Sequence, residues 1–399
     1  MDVLHQVEYS VLVAGAIGVL ALVASRAARV LRIPAPAIFL LAGVIVASFS
    51  DKSHDAASFG HVAALGSYAL IFILFEGGYS NGGWLRTGPS VRPILMLGVF
   101  GTLATTALLG AAAHWLVGLS VPLSVLVAVA LAPTDPAAVF SVLGESDVEG
   151  STDIILEGES GANDPVGISL MLGAIAYYDA GGSIASVGVD FVVQLAVGIA
   201  VGASCGFILG EILRRVRFGA DALHAVAAVA GAFLTFAFAT QLHGSGFLAV
   251  FVAGLLVGRL EVRAHEATEG VLSVTAALSE MAMFTALGLT VSFDNLGHAV
   301  PRALALFALL TFLIRPLVTW AALAPEPLTR GERAFVAWGG LKGAVPILLA
   351  SFPILAGIED ATLVYDIVFV AVAASVLVQG ATLPFLARRL GLLSAPKHA

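Results

Sequence analysis

Stretches of apolar residues, each bounded by a short polar turn, occupy nearly the whole of this chain. Taking about 20 apolar residues as the length of a helical membrane span, thirteen are readable. They fall at approximately 9–25, 35–49, 60–77, 94–116, 123–143, 154–178, 187–212, 223–242, 247–257, 271–291, 303–323, 335–355 and 361–386. Lipid has to be the solvent for most of the outside. Only 12% of the 399 residues are charged and 59% are hydrophobic, whereas a water-facing domain carries about 25% charged residues. The sequence therefore specifies an all-α integral membrane fold of about 13 transmembrane helices and argues against a soluble enzyme.

Charge placement tests that number independently, because Lys and Arg concentrate in cytoplasmic loops. With the N-terminus outside, the inside loops hold Arg26, Arg29 and Arg32, then Arg86 and Arg92, then Arg214, Arg215 and Arg217. Further along they hold Arg259 and Arg263, Arg330 and Arg333, and finally Arg388, Arg389 and Lys397. The outside loops hold only Lys52 and Arg302, while Arg315 and Lys342 lie within spans. Only an odd number of spans preserves this alternation, which puts the C-terminus in the cytoplasm. Trp84, Trp115, Trp320 and Trp338 fall near span ends, as interfacial aromatics should. The opening MDVLHQVE lacks the basic region of a cleaved signal peptide, so the first segment reads as a retained span. One inside loop, 144–153, carries Glu145, Asp147, Glu149 and Asp153 and no basic residue. It is either a solvated acidic loop or a negative mouth that concentrates cations. Few residues follow Leu390, so a single transmembrane domain over 1–399, without a soluble regulatory domain, is expected. The lone Cys205 and nine scattered histidines suggest no resident metal or cofactor. A net charge of −8 offers no basic patch for nucleic acid.

An ionisable side chain at bilayer depth costs about 2.5–3.5 kcal/mol on insertion scales, so those that persist are candidates for function. They are Glu76, Asp135, Glu157, Glu159, Asp164, Glu280, Arg315 and Lys342; Asp366 reads as an interfacial residue near the outer end of its span. The fifth span is interrupted by Pro133-Thr134-Asp135-Pro136. Two prolines remove two amide donors and disfavour helical geometry before them. Freed carbonyls beside a carboxylate and a hydroxyl are suitable hard-oxygen ligands for a small cation. The twelfth span is interrupted by Gly339-Gly340-Leu341-Lys342-Gly343-Ala344-Val345-Pro346. If 9–178 and 223–386 are inverted repeats joined by a linker helix at 187–212, these breaks are the fifth element of each. That is the pattern of a transporter with its site at the midplane. Asp135 and Lys342 would each neutralise an exposed helix-dipole end.

The densest signal lies in the sixth span, Glu157-Gly158-Glu159-Ser160-Gly161-Ala162-Asn163-Asp164-Pro165. On a helix Ser160 and Asp164 share one face, and Glu159 and Asn163 the adjoining stripe. Gly158 and Gly161 would let another backbone approach closely. Together with Phe75-Glu76-Gly77-Gly78, Thr134-Asp135-Pro136, Ser279-Glu280 and Gly340-Leu341-Lys342-Gly343-Ala344-Val345-Pro346, this stretch resembles the NhaP-like sodium/proton exchangers, the electroneutral branch of the monovalent cation/proton antiporters.

The resemblance implies a homodimer in a bacterial or archaeal cytoplasmic membrane. Each protomer would hold an NhaA-like inverted repeat with two crossing broken helices. It implies that Asp164 binds either cation or proton, and that Ser160, Thr134 and, through water, Glu76 complete the cation shell. Asp135 and Asn163 would support the site. Glu159 would be neutralised from the twelfth span, where this chain has Lys342 in place of the usual Arg. Arg315 would be a second partner of Glu159, Glu280 a structural contact, and Glu157 a further acidic candidate.

The chemistry of the residues fits that implication. A buried carboxylate can hold a proton or a cation but not both well, and this competition couples the two fluxes. With Asn163 beside a single titrating Asp164, exchange of Na⁺ or K⁺, with Li⁺ as a further candidate, is expected to be 1:1 and electroneutral. Other classes compete with this reading. A sodium-coupled organic-solute symporter would need a roomier pocket. An intramembrane aspartyl protease would use Asp135 and Asp164 as its dyad, and a channel would pass cations without proton movement.

Overall fold

The apolar stretches fold as helices, and prolines and glycines decide where those helices stop. In the computed structural model, residues 34–49, 59–82, 91–143, 152–180, 184–260, 262–291 and 296–392 are described, together with four isolated earlier positions. The expected first span, 9–25, lies outside the described residues apart from isolated positions. So do Arg29, Arg32, Lys52, Trp84, Arg86, Glu145, Asp147, Glu149 and Lys397.

The helices are α1 (Ala35–Phe49), α2 (Phe59–Ser80), α3 (Arg92–Trp115), α4 (Val121–Leu131), α5 (Pro136–Leu143), α6 (Thr152–Ala180) and α7 (Ile184–Arg215). They continue with α8 (Asp221–Gln241), α9 (Gly246–Arg259), α10 (His265–Leu289), α11 (Leu296–Ala322), α12 (Arg330–Trp338), α13 (Ala344–Leu355) and α14 (Ala361–Arg389). Among the described residues, α2, α3, α7, α8, α10, α11 and α14 are long and apolar enough to cross a membrane, while α1, α4, α9 and α13 are shorter apolar helices. α6 has the length of a span, at 29 residues, but carries acidic side chains along it.

The interrupted stretches each form two helices. α4 stops at Leu131 and α5 restarts on Pro136, where a missing amide hydrogen costs nothing at the first helical position. α12 opens with a capping box between Thr329 and Glu332. It ends at Trp338, before the glycines, and α13 resumes at Ala344. Trp338, expected near a span end, closes α12 at the break, with its indole N–H donating to Thr382 Oγ1 at 3.0 Å. Three helices also contain a π turn: Met96–Gly101 in α3, Leu310–Ile314 in α11 and Val376–Gly380 in α14. The latter two lie just before Pro316 and Pro384, whose missing amides loosen the ladder there.

The helices pack as two groups. In one, α2 packs on α9 and α10, α9 on α7 and α8, and α10 on α1. In the other, α3 and α13 flank α4, α6 lies on the π turn of α3, and α14 packs on α11 and α13. The first group is held by close backbone contact. Gly78 and Gly82 of the α2 end face Gly254 and Gly258 of α9, and a methyl built on Gly78 would lie 2.9 Å from the Leu255 amide nitrogen. Small residues four apart permit that approach in a membrane, where dispersion rather than water exclusion holds helices together. All the helix breaks belong to the second group.

Candidate functional site

The two breaks meet in the interior. The Asp135 amide donates to the Leu341 carbonyl at 2.8 Å, so each unwound segment supplies a partner to the other. Lys342 Nζ donates to the carbonyls of Ala132 and Pro133, both at 2.9 Å. An ammonium thus sits on the carbonyl end of α4, where the helix dipole is negative. Across from it the Asp135 carboxyl lies so close to Gly343 that any side chain there would collide with it. Glycine is required at this crossing by the carboxylate.

α6 runs past the crossing and presents its polar stripe to it. Ser160 Oγ donates to the Thr134 carbonyl. Asn163 Nδ2 donates to Thr134 Oγ1 at 2.8 Å, and the Thr134 amide donates to Asn163 Oδ1 at 3.4 Å. The Asn163 amide group therefore grips Thr134 from both ends and holds its carbonyl in place. One turn on from Ser160, Asp164 is only 7% exposed, and its Oδ1 has no hydrogen-bond partner among the described residues. A buried carboxylate oxygen left open is costly unless something occupies it. Close approach to α6 occurs where Gly98 of α3 faces Ala162 and the Glu159 carbonyl. Gly161, expected to admit a backbone, instead faces the ring of Phe251.

Asp164 opens on a cavity of about 240 Å³ between the two helix groups. Glu76 of α2 and Glu280 of α10 reach it from one side; Glu157, Ser160 and Asp164 of α6 reach it from the other, with Asp135 from the break. Among the described residues, five acidic ones line it and no Lys or Arg does. Glu76 accepts from Ser80 Oγ at 3.0 Å, and Ser80 is exposed, so the cavity reaches the surface along this end of α2. The sequence signals singled out every one of these acids. Glu280, expected as a structural contact, is among the residues that line the cavity.

Of the two partners expected for Glu159, Arg315 and not Lys342 forms the ion pair. Arg315 donates to both carboxylate oxygens of Glu159, Nη2 to Oε2 at 2.7 Å, and also to the Val336 carbonyl at 3.3 Å. Both partners are buried. Lys342, the other expected partner, is engaged with α4. The reason is geometric, since a guanidinium fork matches a carboxylate with two parallel bonds whereas an ammonium is a point charge suited to converging carbonyls. Arg315 is the residue next to the π turn of α11, which sequence reasoning did not anticipate. Asp366, expected near the outer end of its span, lies near the start of α14, buried beside Tyr365, whose hydroxyl donates to the Leu287 carbonyl at 3.2 Å. Gln379, a buried amide in the last span, bonds the second break; carrying no charge, it gave no signal in the sequence.

Helices unwound around a buried charge, beside a cavity and between two packed groups, are the architecture of secondary transporters. The chain belongs to the sodium/hydrogen exchanger family, whose transmembrane model matches residues 17–389. It is 34% identical over 417 residues to the K⁺/H⁺ antiporter NhaP of Alkalimonas amylolytica, an alignment covering 99% of this chain and 69% of that one. It is 32% identical over 376 residues to the K⁺/H⁺ antiporter NhaP2 of Shewanella sp. (strain ANA-3), covering 92% of this chain. The chain spans 64% of the length of that Shewanella relative. The fold is shared with the sodium proton antiporter MjNhaP1 from Methanocaldococcus jannaschii, with a TM-score of 0.80 at 22% identity over 95% of this chain and 100% of that one.

Proposed function

We propose that this protein exchanges a monovalent cation for a proton, 1:1 and electroneutrally, with Asp164 as the carboxylate for which the two ions compete. The observation that carries the reading is the open Oδ1 of a buried Asp164, beside a cavity lined by acidic residues and, among the described residues, by no Lys or Arg. Ser160, the Thr134 carbonyl and, through water, Glu76 provide the remaining oxygen ligands, with Asn163 and Asp135 holding the Thr134 segment. A cation satisfies the open oxygen, and so does a proton. Moving the site between the two sides of the membrane requires that one of them be there.

The cavity between two helix groups supports alternating access by movement of the group with the breaks against the other. On this reading the broken elements, α4–α5 and α12–α13, are crossing helices of two inverted repeats, about 9–178 and 223–386, within thirteen spans. The N-terminus is outside and the C-terminus cytoplasmic, with two protomers per assembly. The 34% and 32% identical relatives carry the name K⁺/H⁺ antiporter, whereas the 27% identical ApNhaP of Aphanothece halophytica is named a Na⁺/H⁺ antiporter. Potassium is accordingly the first cation to assay. Organic-solute symport is disfavoured by the size of the cavity, since pockets for such ligands hold about 300–1,000 Å³. The exchanger family counts equally against the protease reading.

The test is reconstitution into proteoliposomes with an internal pH dye, adding K⁺, Na⁺ and Li⁺ separately. Cation-driven proton movement that disappears in Asp164→Asn is expected. Undiminished exchange in that variant removes Asp164 from the mechanism.

A further inference from the structure

Two of the π turns meet at the second helix break, and a single side chain joins them. Gln379 lies in the π turn of α14 and is 1% exposed. Its Nε2 donates to the Trp338 carbonyl at 2.9 Å, at the C-terminal end of α12. Its Oε1 accepts from Ser375 Oγ at 2.6 Å and from Thr311 Oγ1 at 3.4 Å. Thr311 belongs to the π turn of α11. Ser375 Oγ in turn accepts from the backbone amide of Lys342 at 3.0 Å. Gln379 therefore contacts both ends of the unwound segment, the carbonyl that enters it directly and the Lys342 amide through Ser375.

The carbonyl end of α12 is served by the two neighbours together. Arg315 takes the Val336 carbonyl and Gln379 takes that of Trp338. Unpaired carbonyls at a helix end inside a membrane each cost several kcal/mol, so these side chains hold the break open at a defined residue. From there the hydrogen bonds continue without interruption. Lys342 is fixed at its amide by Ser375, and its ammonium holds the Ala132 and Pro133 carbonyls. The next residue, Thr134, offers its carbonyl to Ser160 and its hydroxyl to Asn163. Both sit on α6 beside Asp164. A misplaced Lys342 would let the Thr134 carbonyl drift, and a cation ligand displaced by a fraction of an ångström binds less well.

We propose that Gln379 is a positioning residue for the transported cation: through Ser375 and Lys342 it holds the carbonyl oxygens of the first break where the cation needs them. The inference rests on the antiport reading of Asp164. It predicts an effect on cation affinity from a residue that touches neither the cation nor the cavity. Removing such a residue weakens ground-state binding, which raises KM and leaves the maximal rate nearly unchanged.

The experiment compares wild type with Gln379→Leu, Gln379→Glu and Ser375→Ala in proteoliposomes, titrating K⁺ and Na⁺ at several pH values, with melting in detergent as a control. Gln379→Leu and Ser375→Ala are expected to raise the half-saturating cation concentration about tenfold and to shift the pH profile of exchange, at a maximal rate within about twofold of wild type. Gln379→Glu keeps the acceptor for Ser375 and Thr311 but loses the donor to Trp338, and its KM is expected between the two. Should Gln379→Leu fail to fold, Ser375→Ala decides, because loss of one hydroxyl is a small change to the packing. An unchanged KM and pH profile in these variants overturns the inference, as does a loss of rate that merely follows the loss of folded protein. In both cases wild-type exchange and its loss in Asp164→Asn remain intact. A wild-type protein that moves no protons against any alkali cation overturns the antiport reading and this inference with it.

Discussion

Four buried charged side chains in the interior stand in three different arrangements, and each arrangement makes its own forecast. Glu159 and Arg315 form a two-bonded pair with both members buried. Removing one member of such a pair strands the other, at about 3–5 kcal/mol, whereas replacing both with apolar side chains is often close to neutral. Arg315→Met is thus expected to lower the melting temperature sharply in detergent, and Glu159→Met with Arg315→Met to recover most of it. A double variant as unstable as the single one would show that the pair does more than balance charge. Lys342 holds two carbonyls with one ammonium. Lys342→Met leaves the carbonyl end of α4 without that donor, at about 1–3 kcal/mol by the usual penalty for an unmade buried hydrogen bond, again read by melting. Asp164 is the exception, with an oxygen open to the cavity. Here substitution is expected to remove transport with little effect on melting, the opposite balance from Arg315.

At the scale of elements, the contrast lies between helices that pack closely and helices that are interrupted. α2 and α9 approach through Gly78, Gly82, Gly254 and Gly258. That contact fixes the helix carrying Glu76 against its neighbours. Gly254→Leu would drive a side chain into the α2 backbone. Overpacking costs about 1–3 kcal/mol where neighbours can move, and backbone atoms have little room to give. A fall in melting temperature and a raised KM for the cation are expected together, because α2 carries a wall of the cavity. A variant with the melting and kinetics of wild type would mean that the two helices are not held by this contact. The π turns belong to the opposite category. Those of α11 and α14 lie just before a proline and turn a polar side chain towards the second break.

For the whole molecule, the proposal assigns a side and a charge balance. On the expected orientation the cavity opens to the cytoplasm beside Ser80, which is exposed. In a Cys205→Ser background, a membrane-impermeant thiol reagent is predicted to label Ser80→Cys in inside-out vesicles and to spare it in right-side-out ones. The reverse pattern would invert the topology. Electroneutral exchange predicts a rate insensitive to an imposed membrane potential. A rate that follows the potential would require a second charge to cross with each cycle, and the acids of the cavity beyond Asp164 would be its first candidates.

The placement of the apolar helices over the described residues was legible in the sequence, since hydropathy is summed along the chain. Both interruptions were legible too, because proline and glycine act on the backbone where they stand. The acidic stripe of α6 could be read for a similar reason, as i and i+4 share a face wherever a helix forms and an acid in lipid needs a purpose. Partnership was decided only by the tertiary structure. Nothing in the local sequence chose between Lys342 and Arg315, 156 residues away, as the partner of Glu159, or sent Lys342 to the carbonyls of Ala132 and Pro133. The gathering of Glu76, Glu157 and Glu280 from three helices, and the reach of Gln379 across two π turns, were equally hidden. Which charges pair depends on how two unwound segments cross and on where loosened helix turns aim their side chains, and those quantities exist only once the helices are packed.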